Sequence, residues 1–461
     1  VAKARSVYAC TECGTRTPRW LGRCPACGSW SSLVEEPEAP PARGRPGAAA
    51  VEAAAGPVPL REVAASARPR LPTGIEELDR VLGGGLVPGA AVLLGGEPGI
   101  GKSTLALQVA AAVAERAPVL YATGEESPEQ IRLRASRLPA LPEGLLVLAA
   151  TRVETVVDAW LRARPALVLA DSIQTLQCDR VESAAGSVAQ VRESAADLVA
   201  QAKASGAVLL LVGHVTKEGL LAGPRVLEHL VDVVLAFEGD RGHPFRVLRA
   251  TKNRYGSTLE VGVFSMGERG LEPVANPSEL FLAERRAETP GSCVAALLEG
   301  SRPLLLEVQG LVAPAGYGTA RRTAIGFDDG RLALLLAVLA RRGGIDALGH
   351  DVYLNVTGGL RVGEPAADLA VVLAVASSRL DVPIPPDAVA IGEVGLGGEV
   401  RRVPRVEARV GEAARLGFGR ALVPHGSDVG RPPAGMELVP VADVAAAVAW
   451  LRRAGASANG A

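Results

Sequence analysis

The chain has 461 residues, 48% apolar and 21% charged, with a formal net charge of −1. That balance excludes a disordered chain and a uniformly basic coat for nucleic acid, and the length allows about three domains. Of 49 basic residues only five are lysine (Lys3, Lys102, Lys203, Lys217 and Lys252), so the last 209 positions contain none. No charged-then-apolar leader is visible, and no apolar run approaches the roughly 18 residues of a membrane span. The expectation is a cytoplasmic protein.

The first predicted element is a cysteine module at 1–34. Cys10-x-x-Cys13 and Cys24-x-x-Cys27 are two knuckles, with Gly14 and Gly28 where each turn favours positive φ. Four thiolates suit tetrahedral Zn2+ at about 2.3 Å, and so short a segment needs the metal to fold. A redox dithiol is the competing reading. Cys178 and Cys293 stand alone, which fits a reduced compartment rather than a disulfide framework. Lys3, Arg5, Arg16, Arg19 and Arg23 face only Glu12, so the module can meet phosphate. Trp20 and Trp30 are expected to form its small core. Residues 35–70 are rich in Pro, Ala and Gly and read as a tether.

From 71 to 275 strands and helices alternate. Short β-rich runs at 92–94, 119–122, 166–170, 208–212 and 231–237 predict an α/β domain with a mainly parallel sheet covered on both faces. After the first run comes Gly96-Glu97-Pro98-Gly99-Ile100-Gly101-Lys102-Ser103-Thr104, which fits G-x4-G-K-[ST] between a strand and a helix over 102–114. Such a loop cradles a triphosphate with backbone N–H groups at a helix N-terminus. Lys102 is expected on the β- and γ-phosphates of ATP and Ser103 on Mg2+. Asp171 closes an apolar strand and is the second candidate for Mg2+, with an N-cap role as the plainer reading. Glu125 is the candidate for activating water and Glu126 its reserve; a solvated acidic loop is the alternative. Thr73 and Glu76 have the spacing of a helix capping box.

Thr73-Gly-Ile-Glu-Glu-Leu-Asp, Gly83-Gly-Gly-Leu-Val-Pro-Gly, the phosphate loop and Lys252-Asn-Arg254-Tyr255-Gly stand in one order with the cysteine pairs. In that combination the chain resembles the RadA (Sms) family of bacterial recombination-repair ATPases, with a RecA/DnaB-type core. Tyr255 replaces the usual Phe of the family's KNRFG motif. The resemblance implies a hexameric ring with ATP at subunit interfaces, where Lys252 and Arg254 reach a neighbour's nucleotide. It also implies that His214 and Thr216 sense the γ-phosphate. Loops lining the channel would carry single-stranded and branched DNA on Arg180, Arg192, Lys217 and Arg225. The implied activity is DNA-dependent ATP hydrolysis driving branch migration beside RecA recombinase.

A linker is expected at 276–289. Residues 290–455 resemble the Lon-type protease domain, through the segments at 355–368 and 391–403. Ala366 stands at the place of the nucleophile and Glu407 near that of the lysine, and no lysine follows Lys252. A Ser–Lys dyad is therefore impossible within this domain, and the expectation is a non-proteolytic scaffold. An ATP-dependent protease and a KaiC-like switch are the competing readings.

Overall fold

The computed structural model describes residues 6–10, 15–26, 28–30, 32–37, 59, 69–214, 226–239, 245–286, 288–316 and 320–458. Cys13, Cys27, Thr216, Lys217 and Arg225 lie outside the described residues. The chain divides into two compact units, Val1–Val274 and Ala275–Ala461.

The cysteine module is a three-stranded antiparallel sheet of β1 (Ser6–Cys10), β2 (Arg16–Thr17) and β3 (Leu33–Pro37), in the order β2-β1-β3. Its core is Cys10, Cys24 and Leu33, with Tyr8 and Leu21 against them. Trp20 and Trp30 are not in it: they are 57% and 74% exposed. The buried thiols take the centre of so small a sheet, and the two indoles stay in water.

The domain that follows is built on a nine-stranded sheet. Its strands are β4 (Ala91–Gly96), β5 (Val119–Thr123), β6 (Leu145–Ala149), β7 (Leu167–Asp171), β8 (Val208–His214), β9 (Val233–Glu238), β10 (Phe245–Asn253), β11 (Val261–Gly267) and β12 (Gly270–Pro273). They run in the order β12-β11-β10-β9-β4-β8-β7-β5-β6. The six from β9 to β6 are parallel, and β10 to β12 fold back antiparallel. The central strands β4, β5 and β7 are buried along their whole length, which is why they read as continuous apolar runs. The edge strand β6 is half exposed and lacks that signal.

Two separate cores confirm helices on both faces. One packs 76–82, 102–114 and 128–135 against the sheet around Leu94, Tyr121 and Leu169. The other gathers Trp160, Val191, Leu198 and Leu227 from 153–163, 188–205 and 226–230 over Leu93, Ala122 and Val168. Each fully buried aliphatic side chain contributes roughly 1.5–3 kcal/mol.

The expected capping box is not formed. The first described helix, Glu76–Leu82, has Ile75 at its N-cap with no side-chain cap. Thr73 instead accepts the Ile75 N–H on Oγ1 at 3.2 Å, and its own N–H donates to Asp79 Oδ1 at 2.9 Å. The hydroxyl closes a local turn before the helix begins.

The second unit holds a seven-stranded sheet packed with the helices Asp329–Arg342, Asp368–Leu380 and Val444–Ala458. Residues 276–289 are not simply a linker. Pro277–Leu282 is a helix, capped by Asn276 accepting from the Glu279 N–H at 3.4 Å. Pro277 starts the helix at its first position, where its missing N–H costs nothing. Ser278 and Phe281 are buried, and Ser278 Oγ donates to Glu412 Oε1 at 2.9 Å. Ala366 is fully buried, and its carbonyl accepts the Gly392 N–H at 3.0 Å. Glu407 is exposed on the helix Val406–Arg415. On the same helix the fully buried Arg409 pairs with Glu364 and donates to the Ala296 and Pro404 carbonyls.

Candidate nucleotide-binding site

The phosphate loop leaves β4 at Gly96 and enters the helix Lys102–Ala114. Gly99 and Gly101 hold φ of +79° and +116°, open to glycine without strain. A Cβ on Gly96 would lie 2.7 Å from the Phe237 carbonyl oxygen, so the loop's first position also demands glycine. Lys102 is 4% exposed, and its Nζ donates to the Gly96 and Glu97 carbonyls at 2.8 Å each. Burial pushes the ammonium down to about 8, against the pull of Asp171, Glu125 and Glu97. A buried cation held by loop carbonyls, at the N-terminus of a helix, fits a polyphosphate chain.

Register brings the other groups to the same end of the sheet. Gly96 sits opposite His214, Val212 opposite Asp171, and Asp171 opposite Thr123. Ligands of open α/β sheets bind at these carboxyl ends. Ser103 Oγ donates to Asp171 Oδ1 at 3.1 Å. The pair offers a hydroxyl and a carboxylate to one hard cation, which suits Mg2+. Asp171 is not an N-cap: Ser172 precedes the short turn Ile173–Thr175, and no side chain caps it.

Two residues that sequence reasoning missed stand behind Asp171. The Tyr121 hydroxyl donates to Asp171 Oδ2 at 2.5 Å, and Arg134 Nη2 donates to the same hydroxyl at 3.1 Å. Burial, then the neighbouring Asp171, holds the phenol well above its ordinary pKa. Arg134 Nη1 also donates to Glu126 Oε1 at 2.9 Å, so Glu126 is tied to the helix that follows it, Pro128–Ala135. Glu125 takes a different partner, accepting from Ser172 Oγ at 2.6 Å. The only sequence signal was a lone aromatic in the aliphatic strand β5.

Lys252 and Arg254 are not brought to this site. Gly96 faces Phe237 at one end of β9, whereas Asn253 faces Val233 at the other. Four residues of strand separate these levels, about 13 Å. Lys252 Nζ donates to the Glu228 and Val231 carbonyls at 2.5 and 2.7 Å. Arg254 Nη1 donates to Asp232 Oδ1 at 3.2 Å but remains half exposed.

Of the expected DNA-contacting residues, Arg180 is ion-paired with Asp197 at 2.7 Å and lies 3.9 Å from Glu193. That pairing reduces its pull on phosphate. Arg192 is exposed, but it lies on the helix Val188–Ser205 and not in a loop. Ser187 caps that helix by accepting the Gln190 N–H, which ends the loop early.

In the N-terminal module Cys10 and Cys24 are buried in one cluster. The Thr15 carbonyl accepts from Cys10 N–H and the Ser29 carbonyl from Cys24 N–H, at 3.0 and 2.8 Å. Both segments thus turn back, Cys10 onto Thr15 and Cys24 onto Ser29, and Gly28 has the expected positive φ of +77°. Paired turns presenting thiols to one interior fit Zn2+.

Known families match both parts of the chain. Residues 8–35 match the rubredoxin metal binding domain family and residues 58–220 the AAA domain family. ATP with Mg2+ and Zn2+ are accordingly its cofactors. The DNA repair protein RadA of Pseudomonas aeruginosa is 51% identical over 96% of this chain and 97% of its own. That of Bacillus subtilis is 49% identical over 97% of this chain and 99% of its own. For Halalkalibacterium halodurans the figures are 49%, 92% and 93%. A crystal structure of the RadB recombinase is similar over 44% of this chain and 99% of that one, at 23% identity and a TM-score of 0.37. With half of its residues shared along nearly its whole length, this chain belongs to the DNA repair protein RadA family.

Proposed function

We propose that the protein is a DNA-stimulated ATPase that works as a ring motor on single-stranded and branched DNA, extending heteroduplex by branch migration beside RecA recombinase. The observation that carries this reading is the convergence of Lys102, Ser103, Asp171 and Glu125 at one end of the sheet, in a chain of the RadA family. Lys102 would exchange its loop carbonyls for phosphate oxygens and offset charge building on the leaving group. Ser103 and Asp171 would hold Mg2+. Glu125 would accept the proton of the water that attacks the γ-phosphorus, as the bond to the bridging oxygen breaks. Glu125 accepts from the neutral hydroxyl of Ser172, whereas Glu126 is ion-paired with Arg134, and this favours Glu125.

Lys252 and Arg254 lie too far from their own phosphate loop to serve it. They would act on a neighbour's nucleotide in a hexameric ring, as arginine fingers do. The unit from Ala275 onward would serve as the Lon-like scaffold of that ring; its Ala366 has no nucleophile to offer. Arg192, and Lys217 and Arg225 in the segment after β8, would contact DNA, with Arg180 a weaker candidate.

The test is ATP turnover with and without single-stranded and forked DNA, at several salt concentrations, alongside electron microscopy of the same sample. DNA should raise the rate, the effect should fade with salt, and Lys102→Ala should abolish turnover. A wild-type rate unmoved by DNA at low salt would sink the reading.

A further inference from the structure

The zinc module carries a surface that the nucleotide site does not use. Its two tryptophans are the most conspicuous side chains left in water, at 57% and 74% exposure. The two rings converge. A Cβ built on Gly22 would sit 3.9 Å from Trp20 Cη2 and 3.8 Å from Trp30 Cζ3. Gly22 is thus a bare floor shared by both indoles. Arg23 pairs with Trp30 across an isolated antiparallel bridge, and its guanidinium carbon stands 5.9 Å from that ring's centroid. Its Nε donates to the Gly28 carbonyl at 2.8 Å, which holds the cation over one face of Trp30 and leaves the other face to a base. Arg19 is exposed next to Trp20. Residues 15–32 contain three arginines and no Asp or Glu.

We infer that this face binds single-stranded nucleic acid. Unstacked bases would lie on Trp20 and Trp30, and the backbone phosphates would meet Arg19 and Arg23. The chemistry selects the partner. An exposed indole face gains from a base whose own face is free, which a duplex does not offer. The guanidinium groups of Arg19 and Arg23 suit a polyanion and do not discriminate sequence. The inference deepens the proposed function, on which it rests for the presence of DNA, and assigns a contact outside the sheet domain.

The full-length zinc-loaded protein tests it, with oligo-dT, blunt duplex and a RecA-type recombinase as probes. Trp160 is buried and Trp450 half-buried, so quenching of the exposed indoles should dominate the fluorescence change on adding oligo-dT. Trp20→Ala and Trp30→Ala should each weaken oligo-dT binding by about 5- to 150-fold, the range of one stacked base. Trp30→Phe should recover part of the loss, and duplex affinity should move less than about twofold. Bound zinc and DNA-free ATP turnover should equal the parent's, which separates lost stacking from lost folding. The inference is overturned if the parent shows no indole quenching, or if a zinc-loaded Trp20→Ala/Trp30→Ala protein binds oligo-dT as the parent does. Unchanged oligo-dT binding with lost recombinase binding also overturns it, in favour of protein docking. If oligo-dT quenches the parent but does not stimulate ATP turnover, the inference stands and the motor reading falls.

Discussion

Raising the pH from 7 to 9 should weaken ATP binding about tenfold through Lys102 alone. Burial pushes this ammonium down to about 8 in the free site. The charged form is the one that meets phosphate, and a bound polyanion favours keeping it charged. Below about pH 7 nearly all free sites already carry the proton, and affinity is flat. At pH 9 about nine in ten free sites have lost it, so binding must first recover a proton, at about 1.4 kcal/mol. The terminal phosphate, with a pKa of about 6, stays ionised across this window and contributes no slope. Calorimetry with Mg2+ and a non-hydrolysable ATP analogue from pH 6.5 to 9.5 measures the profile. Repeating the pH 8.5 titration in buffers of different ionisation enthalpy should reveal net proton uptake. Lys102→Arg, charged throughout, should bind more weakly but with no slope. A flat wild-type profile to pH 9.5, or an equal slope in Lys102→Arg, would refute the reasoning.

The Tyr121 hydroxyl holds one oxygen of Asp171 and leaves the other facing Ser103. Tyr121→Phe keeps the ring and should raise the Mg2+ concentration needed for half-maximal ATP turnover about tenfold, the worth of one hydrogen bond to a carboxylate. Metal-free nucleotide binding should stay unchanged; a loss there instead would mean that the strand itself had shifted. In the second unit, Arg409→Leu leaves Glu364 without its buried partner and should cost about 3–5 kcal/mol in urea melts. Glu364→Leu/Arg409→Leu should recover most of that loss, and a single variant costing under about 1 kcal/mol would contradict the assigned role of the pair.

The sequence by itself determined the contiguous chemistry. Gly96 to Ser103 must curl, because glycines and a lysine at that spacing between strand and helix permit little else. The buried strands announced themselves as apolar runs, and paired cysteines in knuckles specified a metal. Tertiary structure decided what depends on residues far apart. Tyr121 meets Asp171 only because β5 and β7 are neighbours in register, and Arg134 joins them from a separate helix. The distance of Lys252 from its own phosphate loop follows from β10 folding back along β9. Thr73 had the right spacing for a capping box, yet Asp79 captured its N–H first. Pro277 reads as a break in sequence but starts a helix once Asn276 caps it. Composition likewise put Trp20 and Trp30 inside the zinc module, whereas the thiols occupy its small centre. Local patterns fix the chemistry a segment can perform; close packing and register fix which segments perform it together.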